Sequence, residues 1–234
     1  MPMSIDAKTD LTRVPTAVEN HSASDDTATR VLNAAGLIFA EKGFKNATIR
    51  EICSAAGVNL ASVNYHFRDK ERLYIETVKR AAQLRVEQAP MPQWPPGTPT
   101  AIKLRSFVHT ILTRMLAVEQ APWQVRLMQR EVLAPTSACR ELVEDYIRPQ
   151  FELLQRILGE AVPPDTPAHR RRKIAFSVIG QCLHYRLTGE IVRMLVPADE
   201  LAARFTIDEL ADHIAAFSLA ALGLAPPMGQ SAAK

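Results

Sequence analysis

The side chains with most chemical potential lie in TIREICSAAGVNLASVNYHFRDK, residues 48–70. Leu60, Val63 and Phe67 recur at i, i+3 and i+7, the spacing of one inward stripe on a helix. Ala61, Ser62, Asn64, Tyr65 and His66 are then left on the outward face. These are small, hydrogen-bonding and aromatic groups on a short helix. Their chemistry is recognition rather than bond making, and such a face suits the edges of bases in a DNA major groove.

The flanking residues predict the elements that hold this face. Thr48 and Glu51 form the T-x-x-E capping box of a preceding helix, with Ile49, Ile52 and Ala56 facing in. Gly57 ends that helix, because the sharp turn needs a positive φ. Asn59 is placed to cap the recognition helix. Asp69 is placed to cap a further helix, over about Lys70–Gln88, carrying Leu73, Ile75, Val78 and Ala82. Upstream, Val31, Leu32, Ala35, Ile38 and Phe39 make the inner stripe of a helix over about Thr27–Lys42, with Asp26 at its start and Gly43 at its end. Residues 1–26 lack periodic apolar positions and read as a flexible tail.

Residues 89–100 (APMPQWPPGTPT) hold five prolines, which stop a helix and make a stiff connector. The domains read as a 27–88 DNA-binding unit, an 89–99 linker, a 100–224 helical unit and a 225–234 tail. Helices are expected over about 100–120, 123–134, 137–158, 167–195 and 206–223, punctuated by Pro135, Pro163, Pro164 and Pro197. No strand alternation of useful length occurs, so the fold class is all-α.

Net charge is only +3, but it is uneven. Residues 27–80 carry nine basic and five acidic side chains, whereas residues 1–26 carry two and five. The positive excess surrounds the recognition helix, where phosphates would need it. Cys53, Cys139 and Cys182 are far apart, with no spacing for zinc, and read as reduced thiols. No apolar run of about 18 residues spans a membrane, and the N-terminus lacks the order of a signal peptide, so a cytoplasmic protein is expected. The sequence has no GxSxG, no HExxH and no phosphate-binding Gly loop, so neither an enzyme nor a cofactor is expected.

From Thr29 to Val78 the chain resembles the DNA-binding domain of the TetR family of transcriptional regulators. The resemblance rests on AAGLIFAEKGFKNATIREICSAAGV, on Val63, His66 and Phe67, and on Asp69-Lys70-Glu71-Arg72-Leu73. NLASVNYHF, the Pro-rich linker and RLMQREVLAPT resemble its CecR-like branch. The resemblance implies a homodimer that places its third helix in each half-site of a palindromic double-stranded DNA operator. It further implies a C-terminal domain enclosing a small-molecule effector, most often in a repressor. A ligand-independent architectural or cell-cycle protein on the same fold is the alternative.

Under that resemblance, Thr48 and Lys70 would touch the DNA backbone, as would His66. Arg50 lies on the DNA side, and Asn59 belongs to the same surface. Ala61, Ser62, Asn64 and Tyr65 would meet base edges and nearby phosphates. Asn64 stands where many members carry Tyr; it either reads adenine or loses an aromatic phosphate contact. Candidate cavity groups are His109, Trp123, Arg126, Gln129, Arg130 and Tyr146, followed by Gln181, His184, Tyr185 and Arg186. Core packing or a surface pair is the other reading of each. Candidate dimer-seam residues are Ile174, Val178, Gln181, Phe205, Leu210, Ile214, Phe217 and Leu222, on the last two long helices. HRRRK, residues 169–173, reads as a solvated cationic face.

Overall fold

The computed structural model describes residues 17–117 and 122–226, and every regular element among them is helical. Helix α1 (Ala17–Asn46) begins ten residues before Thr27, so residues 17–26 extend the helix. The rest of the expected N-terminal tail, and the C-terminal tail from residue 227, lie outside the described residues. Gly43 interrupts α1 with φ 75° and ψ 170°, a conformation closed to most side chains. Helices α2 (Ile49–Ala56), α3 (Leu60–Phe67) and α4 (Lys70–Gln88) follow at the expected places.

Beyond the linker come α5 (Thr100–Leu116), α6 (Pro122–Leu133), α7 (Ala138–Leu142) and α8 (Arg148–Gly159). A π-helical turn, Val143–Ile147, separates α7 from α8, where one helix was expected. Pro149, in the first turn of α8, lacks the amide that an uninterrupted α-helix would use, and the wider turn precedes it. The expected 167–195 helix divides at Thr188 into α9 (Ala168–Leu187) and α10 (Gly189–Leu195). The Thr188 hydroxyl donates to the His184 carbonyl at 2.6 Å. Helix α11 (Ala198–Arg204) was not expected, and α12 (Ile207–Ala221) completes the described helices.

Two apolar cores result. The first joins α1–α4 to Leu127 of α6 and to Ala138 and Leu142 of α7. The second joins α5, α8, α9 and α12. The linker separates two stretches of sequence but not two packing units, because α6 and α7 return to the first core. The linker is itself docked: Trp94 Nε1 donates to Ser106 Oγ at 2.9 Å.

Several expected seam residues lie in the second core instead. Val178, Leu210 and Ile214 are buried within the single chain, and Ile174, Phe205 and Leu222 pack against that core. The apolar stripe of α12 is used up against α5. Phe217 is 51% exposed and remains open to a second chain. The 169–173 run is mostly exposed; Arg171 donates to the Thr166 carbonyl.

The α6 junction with the first core is polar as well as apolar. Tyr74 donates to Glu131 Oε1 at 2.6 Å, and Thr136 donates to both Glu131 oxygens, at 2.9 and 3.2 Å. Glu131 is only 1% exposed, so these bonds replace the water its carboxylate loses. Arg130 Nε and Nη2 donate to the carbonyls of Ala40 and Glu41, closing the end of α1 before Gly43. Gly36 lets the two helices approach: a Cβ there would lie 2.5 Å from the Trp123 ring. Gly36→Ala therefore has to push α6 from α1. Urea unfolding should show a loss of about 1–3 kcal/mol, the usual cost of overpacking.

Candidate nucleic-acid interface and cavity

The reading head, α1–α4, is organised by capping. Thr48 Oγ1 accepts from the Glu51 amide at 3.3 Å, while the Thr48 amide and hydroxyl both donate to Glu51 Oε2 at 2.9 Å. Lys42 Nζ donates to Glu51 Oε1 at 2.5 Å, tying the end of α1 to the start of α2. Gly57 ends α2 in the left-handed region, φ 65° and ψ 39°. Asn59 Oδ1 accepts from the Ser62 amide at 2.8 Å and from the Ser62 hydroxyl at 3.0 Å.

These bonds sort the candidate DNA residues. Asn59 is a cap, and the Ser62 hydroxyl proton is committed to it. Both donors of Thr48 are held by Glu51, leaving the exposed Arg50 and the first amides of α2 open. Ala61, Asn64 and Tyr65 are exposed, Tyr65 by 82%. His66 is half-buried, its ring edge-on to Tyr65 at 5.1 Å. Lys70 donates to the Lys45 carbonyl at 3.3 Å and sits 4.9 Å above the Phe44 ring. It braces the turn after Gly43.

Val63 and Phe67 are buried as expected, but Leu60 is 53% exposed. The first turn of α3 projects past the core, so Leu60 joins the outward surface. Arg68, not singled out in the sequence, is the one non-Gly residue with positive φ among those described. The Asp69 amide donates to the Phe67 carbonyl at 2.7 Å around it, a tight strained turn between α3 and α4.

A cavity of about 280 Å³ lies between α4, α5, α6, the π-helical turn, α8 and α9. Of the candidate cavity groups, Gln129, Tyr146 and Arg186 line it. The others do not. Trp123 and Arg130 are on the opposite face of α6, against α1, and Arg126 is exposed. His109 faces α12, with Nε2 3.5 Å from Asp208 Oδ1. Gln181 donates to the Ser177 carbonyl, His184 is exposed and Tyr185 packs beside Phe205. Arg85 and Arg114 line the cavity and were missed. Arg85 continues the α4 stripe of Val78, Ala81 and Ala82, a position where a charge on the buried side was the available signal.

Among the described residues no cluster of side chains could hold a metal, and no helix is long and apolar enough to cross a membrane. Cys53 and Cys182 are buried, and burial pushes the Cys182 thiol up to about 12.

A four-helix reading head carried by a larger helical body is a helix-turn-helix DNA-binding regulator. Residues 31–77 match the family described as bacterial regulatory proteins, tetR family. Residues 101–222 match the C-terminal domain of the HTH-type transcriptional dual regulator CecR. The CecR dual regulator of Shigella flexneri is 29% identical over 180 residues, covering 70% of this chain and 78% of that protein. The fold is shared with HlyIIR, a hemolysin II transcriptional regulator (TM-score 0.55, 20% identity, 81% of this chain and 97% of that one). It is also shared with a transcriptional regulator of Rhodococcus sp. Rha1 (TM-score 0.59, 16% identity, 83% and 95%). The chain belongs to the TetR family of transcriptional regulators, in the branch with a CecR-type C-terminal domain.

The Lys42 ammonium, then the Thr48 donors, hold the Glu51 carboxyl at about 2, below its ordinary 4.5. A carboxylate lowered on folding adds stability above its unfolded pKa and loses it as pH falls toward its folded one. In Glu51→Gln the thermal midpoint should be lower than in the wild type near neutral pH. The difference should close between about pH 5 and pH 2.

Proposed function

We propose that this chain is a repressor that binds a palindromic double-stranded DNA operator as a homodimer and leaves it when a small molecule fills the cavity. The observation that carries this is the position of α6. Val125, Met128, Gln129 and Val132 wall the cavity from one side of that helix. Leu127 and Arg130, on its other side, hold the reading head. Helix α4 has the same double duty, with Ala82, Arg85 and Val86 on the cavity and Leu73, Tyr74 and Val78 in the first core. A ligand cannot displace either wall without moving the base of the reading head. A ligand-independent architectural role gives no reason for a cavity at this junction.

On DNA, Ala61, Asn64 and Tyr65 face base edges, with Ser62 offering lone pairs rather than its proton. Arg50, the first α2 amides and His66 meet phosphates. Thr48, Asn59 and Lys70 act by holding these groups in place. The dimer samples spacings of its two heads that do and do not fit the operator. A ligand favouring the second by about 2–3 kcal/mol lowers operator affinity about 30- to 150-fold. Repression is the sign that the family resemblance implies.

Selection from a randomised duplex library with the full chain, at about 150 mM salt, should recover a palindrome with half-sites about one helical turn apart. Recovery of no symmetric site would overturn the reading. On that site, Asn64→Ala should change the preferred base at one position per half-site, by about 1–3 kcal/mol. Arg50→Ala should weaken all sequences alike and flatten the salt slope by about one.

A further inference from the structure

Three arginines are among the described residues that line the cavity, and no carboxylate is. Arg85, on α4, is 6% exposed. Its terminal nitrogens donate to Gln88 Oε1 and to the carbonyls of Thr113, Arg114 and Ala117, while its Nε is buried without an acceptor. Arg114, on α5, donates through Nε to the Ala89 carbonyl at 2.7 Å. Both of its terminal nitrogens are buried with no acceptor. Arg186, on α9, donates to Gln129 Oε1 at 2.6 Å. Neutral oxygens satisfy some of these donors, but nothing there balances the charge.

Several partly buried cations elsewhere meet carboxylates. Lys79 reaches Glu141 and Asp145, both at 3.1 Å, Lys103 reaches Glu160 at 2.8 Å, and Arg105 reaches Asp208 and Asp212. The cavity gathers three arginines with no such partner among its described lining. Burial lowers all three of its guanidinium groups, and repulsion adds to this for two. Arg186 acts on Arg85, and Arg85 acts on Arg114, which is brought to about 10. A guanidinium does not shed its proton near neutral pH, so the uncompensated charge persists until an anion arrives. The rest of the wall is apolar, with Met115, Met128, Phe151, Phe176 and Ile179 facing the space.

We infer that the cavity binds an amphipathic monocarboxylic acid, its carboxylate drawn to the Arg114 guanidinium, whose two buried terminal nitrogens lack an acceptor and turn toward the space to take it, and its apolar body against the methionine and phenylalanine wall. Two parallel N–H donors match the two oxygens of a carboxylate, which a hydroxyl or an ammonium group cannot replace. A cavity near the small end of ligand pockets, roughly 300–1,000 Å³, suits a compact acid rather than a long lipid. The identity of the ligand deepens the effector reading above and depends on it only for the consequence at DNA.

The test is calorimetric titration of the full chain, without DNA, using straight-chain acids of about six to twelve carbons and the chain-matched alcohols and ammonium ions. The best acid should bind at least tenfold more tightly than its alcohol, and the ammonium series should not bind. Arg114→Met should reduce the acid to the affinity of the alcohol. Arg186→Met, which gives up the hydrogen bond to Gln129, should narrow the gap in a protein with intact packing. Because both substitutions remove an uncompensated charge, the thermal midpoint of the free protein should hold or rise. Equal binding of acid and alcohol at every length, tighter binding of an ammonium ion, or no binding by any acid would overturn the inference. So would an acid preference unchanged in both variants. An acid that binds as described but leaves operator affinity unchanged would uphold this inference and overturn the effector reading.

Discussion

The structure depends on one helix that serves two cores. Helix α6 buries Leu127 and Glu131 against the reading head, and it turns Val125, Met128 and Val132 toward the cavity. An apolar contact alone would leave this junction free to slide, because hydrophobic packing is not directional. The buried Glu131 removes that freedom. Its two oxygens take three donors from Tyr74 and Thr136, and any shift that breaks them strands a carboxylate away from water. Arg130 adds a second fixed point on the last carbonyls of α1 before Gly43. The junction therefore has few intermediate positions, and a change on the cavity side is carried across rather than absorbed.

The reading head works by a different economy. Its helices have eight residues each in α2 and α3, too short to be stable in isolation. Side-chain caps at Thr48, Asn59 and Asp69 satisfy their first amides, and Lys42 and Lys70 link them to the end of α1. Much of the polar chemistry on this face is thus spent on shape. What is left over, at Ala61, Asn64, Tyr65 and Arg50, is the exposed portion that the proposed reading assigns to DNA. Thr48, Asn59 and Lys70 lie on the same surface but are engaged in bonds that hold its shape.

The same division explains what could be read from the residues. Caps are local: Thr48 with Glu51, Gly57, Asn59 and Asp69 each act within a few residues, and α2–α4 fall where those signals put them. The C-terminal helices are apolar on more than one side, so periodicity does not say which side meets which partner. For α6 the stripe through Trp123 and Arg130 belongs to α1, and the cavity takes the next one round. For α9, Ala175, Val178 and Cys182 enter the second core while Phe176, Ile179 and Leu183 face the cavity. Arginines 85 and 114 were hidden for a related reason. A long side chain on an apolar stripe reads as one that reaches water, and only the packing of α4 against α5 shows that these two do not.

Arg85 joins the two themes. Its guanidinium closes the end of α5 through three carbonyls while its helix begins at the reading head. An anion entering the cavity draws on the same charge that holds α5 to α4, and it relieves the repulsion among the three arginines as it does so. The arginines are thus strained electrostatically at the point where α4 meets the cavity, and the junction is fixed sterically where α6 meets α1. Both α4 and α6 run from the cavity wall into the first core, so energy released at the cavity would act through either helix. Under the proposed effector reading, a charge left unpaired beside an apolar wall has a physical reason: the group that makes the cavity costly would make its occupation felt at the reading head.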